Sequence, residues 1–186
     1  MKTIIRFCIL GIIILATPGT MMAQKYLTKN GNIRFYSDTP MEKIEATNKQ
    51  VKIALDISSG DFVFQVLMKS FEFEKALMQE HFNENYVESD KFPNATFLGK
   101  ITNLKEIDVT KNGTYQVNVE GKLTIHGVTK VIKEKGTFDV AGDKITAKAK
   151  FNILLSDYNI TVPGAVVNNI SKSIEITVSS ILDKAK

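Results

Sequence analysis

The sequence has almost none of the chemistry that cysteine supplies. Cys8 is the only cysteine among 186 residues, and it lies in the apolar segment near the N-terminus. A disulfide needs two cysteines, and a structural zinc site usually draws on several cysteine or histidine ligands. The sequence therefore predicts a fold that is stabilised by its hydrophobic core, without disulfides or thiolate-bound metal.

Histidines and catalytic motifs are also scarce. His81 and His126 are the only histidines, and the chain lacks GxSxG, HExxH and a glycine-rich phosphate-binding loop. Glu80 and Glu84 lie about one helical turn apart beside His81, which makes a carboxylate–histidine site one hypothesis and an ordinary helix surface the other. These absences favour a binding protein over an enzyme, and they indicate neither a metal nor a cofactor.

The charges are nearly balanced and are scattered along the chain. There are 24 Lys and Arg residues against 20 Asp and Glu residues, and no basic run is interleaved with aromatic residues. Proteins that bind nucleic acids usually concentrate basic residues in a patch or stripe. The sequence therefore predicts no nucleic-acid partner.

The first 23 residues have the pattern of a secretory signal peptide. Lys2 and Arg6 precede an apolar block, and small or apolar residues follow as far as Ala23. The apolar block has about a dozen residues, whereas a membrane-spanning helix needs about 20. We predict cleavage after Ala23, which leaves residues 24–186 as one domain in the periplasm or outside the cell. An uncleaved membrane anchor is the alternative.

Hydrophobic and polar residues alternate through most of residues 24–186. In the segment TYQVNVEGKLTI, residues 114–125, the side chains of Tyr115, Val117 and Val119 share one face. A period of two residues is typical of a β-strand with one buried face. Turn sequences rich in Asn, Gly and Asp separate these segments, and we count about eight strands. This pattern favours an antiparallel barrel or sandwich.

One segment has the period of a helix. In EFEKALMQEHFNENY, residues 72–86, apolar side chains recur at steps of three and four residues, and Gly, Pro and β-branched residues are absent. Such a pattern indicates a helix with one apolar face. We predict a helix from about Glu74 to Asn85 that packs on the strands.

The interior of such a barrel is either filled by side chains or hollow enough for one small ligand, and strand periodicity does not distinguish the two. In the hollow case, Tyr115 could offer its hydroxyl at one end of the cavity. The ligand-binding residues that we predict, chosen by strand face, are Phe64, Phe97, Tyr115, Val117, Val119, Phe138, Ala147, Ala149, Phe151 and Ile176.

Three segments resemble the YceI-like family, and they occur in the family's order. They are EHFNENYVESDKFPNATFLGKI at residues 80–101, GKLTIHGVTK at residues 121–130 and FNILLSDYNI at residues 151–160. With the strand pattern around them, the resemblance covers about Gly31 to Leu182. The chain departs from the family's pattern at Val131, where family members commonly carry Pro, and at Asn159, where they commonly carry Gly.

The resemblance implies a mainly β fold, an extended, lipocalin-like antiparallel barrel of about eight strands with one packed helix. It also implies export to the periplasm, and some family members hold a polyisoprenoid or a similar amphiphile inside the barrel. We therefore expect an isoprenoid or fatty-acyl lipid as the partner. A transient contact with a membrane and a homodimer are further options that the sequence leaves open.

Two other functions are compatible with the sequence. One is a filled, ligand-free β module that serves an envelope complex or a stress response. The other is an enzyme that acts on a lipid through His126 or His81. Strand alternation places His126 on the outward side of a turn, where its imidazole would bond nearby backbone or solvent.

Overall fold

The computed structural model describes residues 24–185, so the predicted signal peptide lies outside the described residues. Helical segments are short: α1 (Ala76–His81) continues into a π-helical turn (Phe82–Tyr86). The strands are β1 (Lys25–Asp38), β2 (Lys43–Asp56), β3 (Asp61–Leu67), β4 (Phe71–Phe73), β5 (Asn94–Ile101), β6 (Gly113–Ile125), β7 (Val128–Ala141), β8 (Lys144–Leu154) and β9 (Ser173–Lys184).

Eight of these strands form a closed antiparallel barrel. Their order around the barrel is β1-β9-β8-β7-β6-β5-β3-β2, and pairing between β1 and β2 closes the circle. The ninth strand, β4, pairs with β2 beyond the point where β3 ends. It therefore continues the position of β3 in the wall and does not add a further strand to the circle. The prediction of an antiparallel barrel of about eight strands is confirmed.

The predicted helix is also present. It begins at Ala76, two residues after the predicted start, because Lys75 still has an extended backbone. Phe82 lies at the junction with the π-helical turn, and its ring stacks on that of Phe35 from β1 at 5.4 Å between centroids. The helical segment therefore packs against the barrel through its apolar face. Within residues 24–185, no helix combines the length and apolarity needed to cross a membrane.

The two ends of the barrel are packed differently. We call the end where β1 begins and β9 finishes the closed end, and the end with the β6–β7 turn the open end. At the closed end the side chains of Tyr26, Leu55, Ile145 and Leu182 meet, and each of these residues is at most 1% exposed. They fill the barrel with aromatic and aliphatic groups. The closed end thus supplies a conventional core, and the remaining interior lies toward the open end.

A buried amide joins β3 and β4 to their shared neighbour β2. Asn48 is 0% exposed, and its Nδ2 donates a hydrogen bond to the carbonyl oxygen of Leu67 at 2.8 Å. Its Oδ1 accepts a hydrogen bond from the backbone N–H of Gln50 at 2.9 Å. This is the place where β2 changes its partner from β3 to β4. The amide therefore satisfies backbone groups that the interrupted ladder would leave without partners.

Candidate functional site

The interior toward the open end contains a cavity of about 330 Å³. Its wall is formed by inward-facing aliphatic and aromatic side chains of the strands, and Met78 and Phe82 of the helical segment cover it. None of the four closed-end residues that fill the barrel lines it. Ligand sites in proteins commonly have volumes of about 300–1,000 Å³ and mostly apolar walls. The barrel is thus filled at one end and hollow at the other.

Nine of the ten residues that we predict to contact a ligand line this cavity. They come from six strands, β3 and β5 through β9. They are Phe64, Phe97, Val117, Val119, Phe138, Ala147, Ala149, Phe151 and Ile176. Their contact with a ligand stays a prediction, but the structure brings them together around one space.

Tyr115 lies elsewhere. It begins the inward face of β6 at the closed end, opposite Phe138, and is absent from the cavity wall. Its hydroxyl donates a hydrogen bond to the carbonyl oxygen of Lys111 at 3.1 Å, in the loop before β6. The hydroxyl is therefore engaged by that loop and is not offered to a ligand in the cavity, and alternation along the strand gave no sign of this contact.

An aromatic cluster that the sequence did not indicate covers one side of the cavity. Phe35, Phe71, Phe73 and Phe82 pack with ring centroids 5.1 to 5.6 Å apart. Phe71, Phe73 and Phe82 lie close together in sequence, whereas Phe35 comes from the distant strand β1. The helical period of residues 72–86 gave a signal for Phe73 and Phe82 but none for their contact with Phe35. The cluster holds the helical segment on the barrel and contributes four rings to the cavity wall.

The barrel wall is interrupted between β7 and β8. Pairing of these strands ends at Gly136 and Ala149, although β7 remains paired with β6 and β8 with β9. Residues 128–135 and residues 150–154 therefore face each other without a ladder among the described strands. The salt bridge between Lys130 and Asp157, 3.8 Å from Nζ to Oδ1, bounds the gap toward the open end. We call this gap the lateral window.

His126 is a structural residue of the β6–β7 turn. Its Nδ1 lies 3.1 Å from the carbonyl oxygen of Tyr158, and its Nε2 lies 2.7 Å from Oε2 of Glu88. Both neighbours are oxygen atoms that accept hydrogen bonds, so the imidazole is held between two acceptors. This hydrogen bond is the main cause that lowers the pKa of Glu88. The His126 side chain is only 11% exposed, which is less than a solvent-facing turn position would give.

Contacts around the imidazole form a cluster that we call the His126 junction, made of Glu88, Phe92, His126, Tyr158 and Asn159. Three of these five residues have a left-handed backbone. Glu88, His126 and Asn159 have φ values of 44°, 50° and 55°. The ring of Phe92 packs on the imidazole at 4.7 Å between centroids. Asn tolerates the left-handed region better than most residues, which explains why Asn159 can stand where the family commonly has Gly. The three segments that carry the family resemblance thus contact one another here.

The second histidine does not build a metal site. His81 is exposed at the end of α1 and borders the cavity. Among residues 24–185, no group of three or more His, Cys, Asp or Glu side chains is arranged to hold a metal ion. The hypothesis of a carboxylate–histidine site with Glu80 and Glu84 therefore has no geometric support in this part of the chain.

A comparison with protein families matches residues 26–181 to the family described as YceI-like domain. This match includes every strand and leaves out only Lys25 at the start of β1 and residues 182–184 at the end of β9. A search of curated proteins finds no match.

Solved structures with the same fold include three bacterial proteins. A polyisoprenoid binding domain from Saccharophagus degradans, implicated in plant cell wall breakdown, has a TM-score of 0.74 at 14% identity, covering 88% of this chain and 99% of that one. Burkholderia cenocepacia BcnA has a TM-score of 0.66 at 18% identity, covering 81% and 95%. The YCEI protein of Campylobacter jejuni has a TM-score of 0.55 at 18% identity, covering 99% and 94%. At these identities the likeness establishes the fold alone.

Proposed function

The chain belongs to the family of YceI-like domains, and on that basis we propose that it holds an isoprenoid or another long-chain amphiphilic lipid in its cavity. The observation that carries this proposal is the half-hollow barrel. A cavity of about 330 Å³ remains inside it, and aliphatic and aromatic side chains form most of the wall. The similar domain from Saccharophagus degradans is named for polyisoprenoid binding, which supports the same ligand class.

The physical basis of binding is the removal of methylene and methyl groups from water. Each buried methylene contributes about 0.8 kcal/mol, so a long chain needs few polar contacts to bind well. The inward faces of Phe64, Phe97 and Phe151 offer flat apolar surfaces for such a chain. Ala147 and Ala149 on β8 leave room beside them because their side chains are small. The wall is therefore suited to a flexible apolar chain.

The proposal also covers location and chemistry. The signal-peptide pattern of residues 1–23 supports export to the periplasm or beyond, with residues 24–186 as the mature domain.

We propose a binding protein without catalytic activity, because His126 is engaged with Glu88 and Tyr158 and stands apart from the cavity wall. A filled, ligand-free β module is the competing function, and the hollow half of the barrel argues against it.

The test is to purify the mature protein from its own host and to analyse an organic extract by mass spectrometry. We expect a prenyl or acyl species at close to one molecule per protein. Ala149→Phe should abolish retention because the new ring occupies the cavity. Ala54→Phe is the matched control, since Ala54 lies on the outward face of β2 and does not line the cavity. A clean extract from the wild-type protein, together with no binding of a fluorescent lipid, would contradict the proposal.

A further inference from the structure

Glu134 brings a carboxyl group to the wall of the apolar cavity. Glu134 lies on β7 between Ile132 and Phe138, on the same face as both, and lines the cavity with them. Its neighbour across the ladder is Val119 on β6. Glutamate is rarely placed on an apolar interior face without a partner. The position therefore calls for a functional explanation.

The Glu134 carboxyl has no partner within the part of the chain that the structure describes. No hydrogen bond or salt bridge joins it to residues 24–185, and burial alone raises its pKa. By contrast, the cavity-lining carboxyl of Glu42 accepts a hydrogen bond from Nδ2 of Asn169 at 3.1 Å. A ligand group that donates a hydrogen bond would give Glu134 the partner that the protein does not supply.

Glu134 also stands at the lateral window. It belongs to the part of β7 that is not paired with β8, so this cavity-lining residue lies beside that gap. Long-chain amphiphiles place their apolar chain in the interior and their polar end near water. The window is therefore the place in the wall where a polar head group and an inward carboxyl can meet.

Most of the cations around the window are already engaged by the protein's own carboxylates. Lys148 pairs with Asp139 at 2.8 Å and Lys150 with Glu175 at 2.8 Å. Lys133 pairs with Glu120 at 3.1 Å on the outer surface. Lys135 borders the cavity beside Glu134, but it follows Glu134 on an alternating strand and so projects to the opposite face. This arrangement is poorly suited to a phosphate, which proteins usually hold with converging cations.

We propose that Glu134 binds the hydroxyl head group of the lipid at the lateral window, so that the protein selects a long-chain alcohol over its phosphate ester. This inference rests on the proposed function, because it assigns the polar end of the ligand that the cavity holds. A carboxyl oxygen accepts a hydrogen bond from the hydroxyl, whereas a phosphate brings negative charge against a carboxylate in a partly desolvated place. The discrimination thus comes from repulsion as well as attraction.

The experiment compares two ligands that differ only in the head group. Geranylgeraniol and geranylgeranyl phosphate, both radiolabelled, are bound to the delipidated mature chain in equilibrium dialysis. We expect the wild-type protein to bind the alcohol at least about tenfold more tightly than the phosphate. Glu134→Gln keeps an acceptor and removes the charge, so it should retain the alcohol and reduce the preference to about threefold or less.

A matched control separates this effect from a general change in charge. Glu120→Gln removes a carboxylate on the outward face of the neighbouring strand β6 and should leave the preference unchanged. Equal affinity of the wild-type protein for alcohol and phosphate would overturn the inference while leaving lipid binding intact, and so would an unchanged preference in Glu134→Gln. Failure of the wild-type protein to bind either ligand would overturn both the inference and the proposed function.

Discussion

At the scale of single residues, the buried amide of Asn48 shows how a side chain can replace missing backbone pairing. Its Nδ2 is the hydrogen-bond donor for the carbonyl oxygen of Leu67 at 2.8 Å, where the wall passes from β3 to β4. We expect Asn48→Ala to lower the free energy of unfolding by about 1–3 kcal/mol, because the carbonyl oxygen of Leu67 and the backbone N–H of Gln50 each lose a hydrogen-bond partner. Equilibrium unfolding in urea measures this difference in free energy between the variant and the wild-type protein. The exposed Asn152→Ala on β8 is the control, with an expected change within about 0.5 kcal/mol.

Gly121 permits a close approach of two strands. It pairs with Gly99 of β5, and the ring of Phe97 lies against both glycines. A methyl group at Gly121 would lie 2.6 Å from the carbonyl oxygen of Leu98 and closer still to the Cα of Gly99. The backbone atoms of β5 cannot move aside as easily as the end of a side chain can. We therefore expect Gly121→Ala to lower the free energy of unfolding, measured in urea, by about 1–3 kcal/mol.

The matched variant for this prediction is Gly164→Ala. A Cβ at Gly164 meets no atom within 4 Å, so the unfolding free energy should change by no more than about 0.5 kcal/mol. Equal losses in the two variants would show that conformational freedom of glycine, rather than the close approach of β5 and β6, sets the cost.

At the scale of elements, the His126 junction fastens the β6–β7 turn to two loops. Glu88 contributes to it as a carboxylate, because its pKa is lowered below the ordinary value of 4.5, chiefly by the hydrogen bond to His126. A lowered pKa in the folded protein means that the stabilisation is complete above the unfolded value and is lost as the pH falls through the folded one. The junction should therefore loosen in acid.

We expect the junction to be measurable by hydrogen exchange. Glu88→Gln should speed exchange at the amides of residues 126–127 relative to wild type at a pH near 6, and this difference should disappear as the pH falls through the lowered pKa of Glu88. Amides of β9, remote from the junction, serve as the internal control. A difference that persists unchanged in acid would mean that the Glu88 charge does not stabilise the turn.

The elements also show how far the sequence could predict the site. The two-residue alternation of apolar and polar side chains identified the inward faces of six strands. For this reason nine of the ten predicted ligand-binding residues line the cavity. Glu134 shares that period with Ile132 and Phe138, so the sequence carried a signal for it. The lateral window had no such signal, because β7 and β8 both continue as strands past the residues at which their pairing ends. Tyr115 was chosen by its strand face alone, and alternation did not show that its hydroxyl bonds the loop before β6.

At the scale of the whole molecule, the barrel divides stability and binding between its two ends. Leu182 is 0% exposed in the filled end, whereas Ile176 on the same strand lines the cavity. We expect Leu182→Ala to cost about 2–5 kcal/mol in urea unfolding, because it opens a void in a packed core. Ile176→Ala should cost clearly less, since that side chain already has empty space on one side. A similar cost for both would mean that the two ends are equally well packed.

The lateral window leaves two strand edges exposed, and this affects how the protein behaves at high concentration. The edges at residues 128–135 and 150–154 offer backbone donors and acceptors that a strand of another molecule could pair with, which is how edge-to-edge aggregation begins. Lys130, Lys133, Lys135 and Lys150 lie along these edges, and three of them are held by carboxylates, so an incoming strand would have to displace these salt bridges. We therefore expect these lysines to oppose pairing of the window edges with a second molecule.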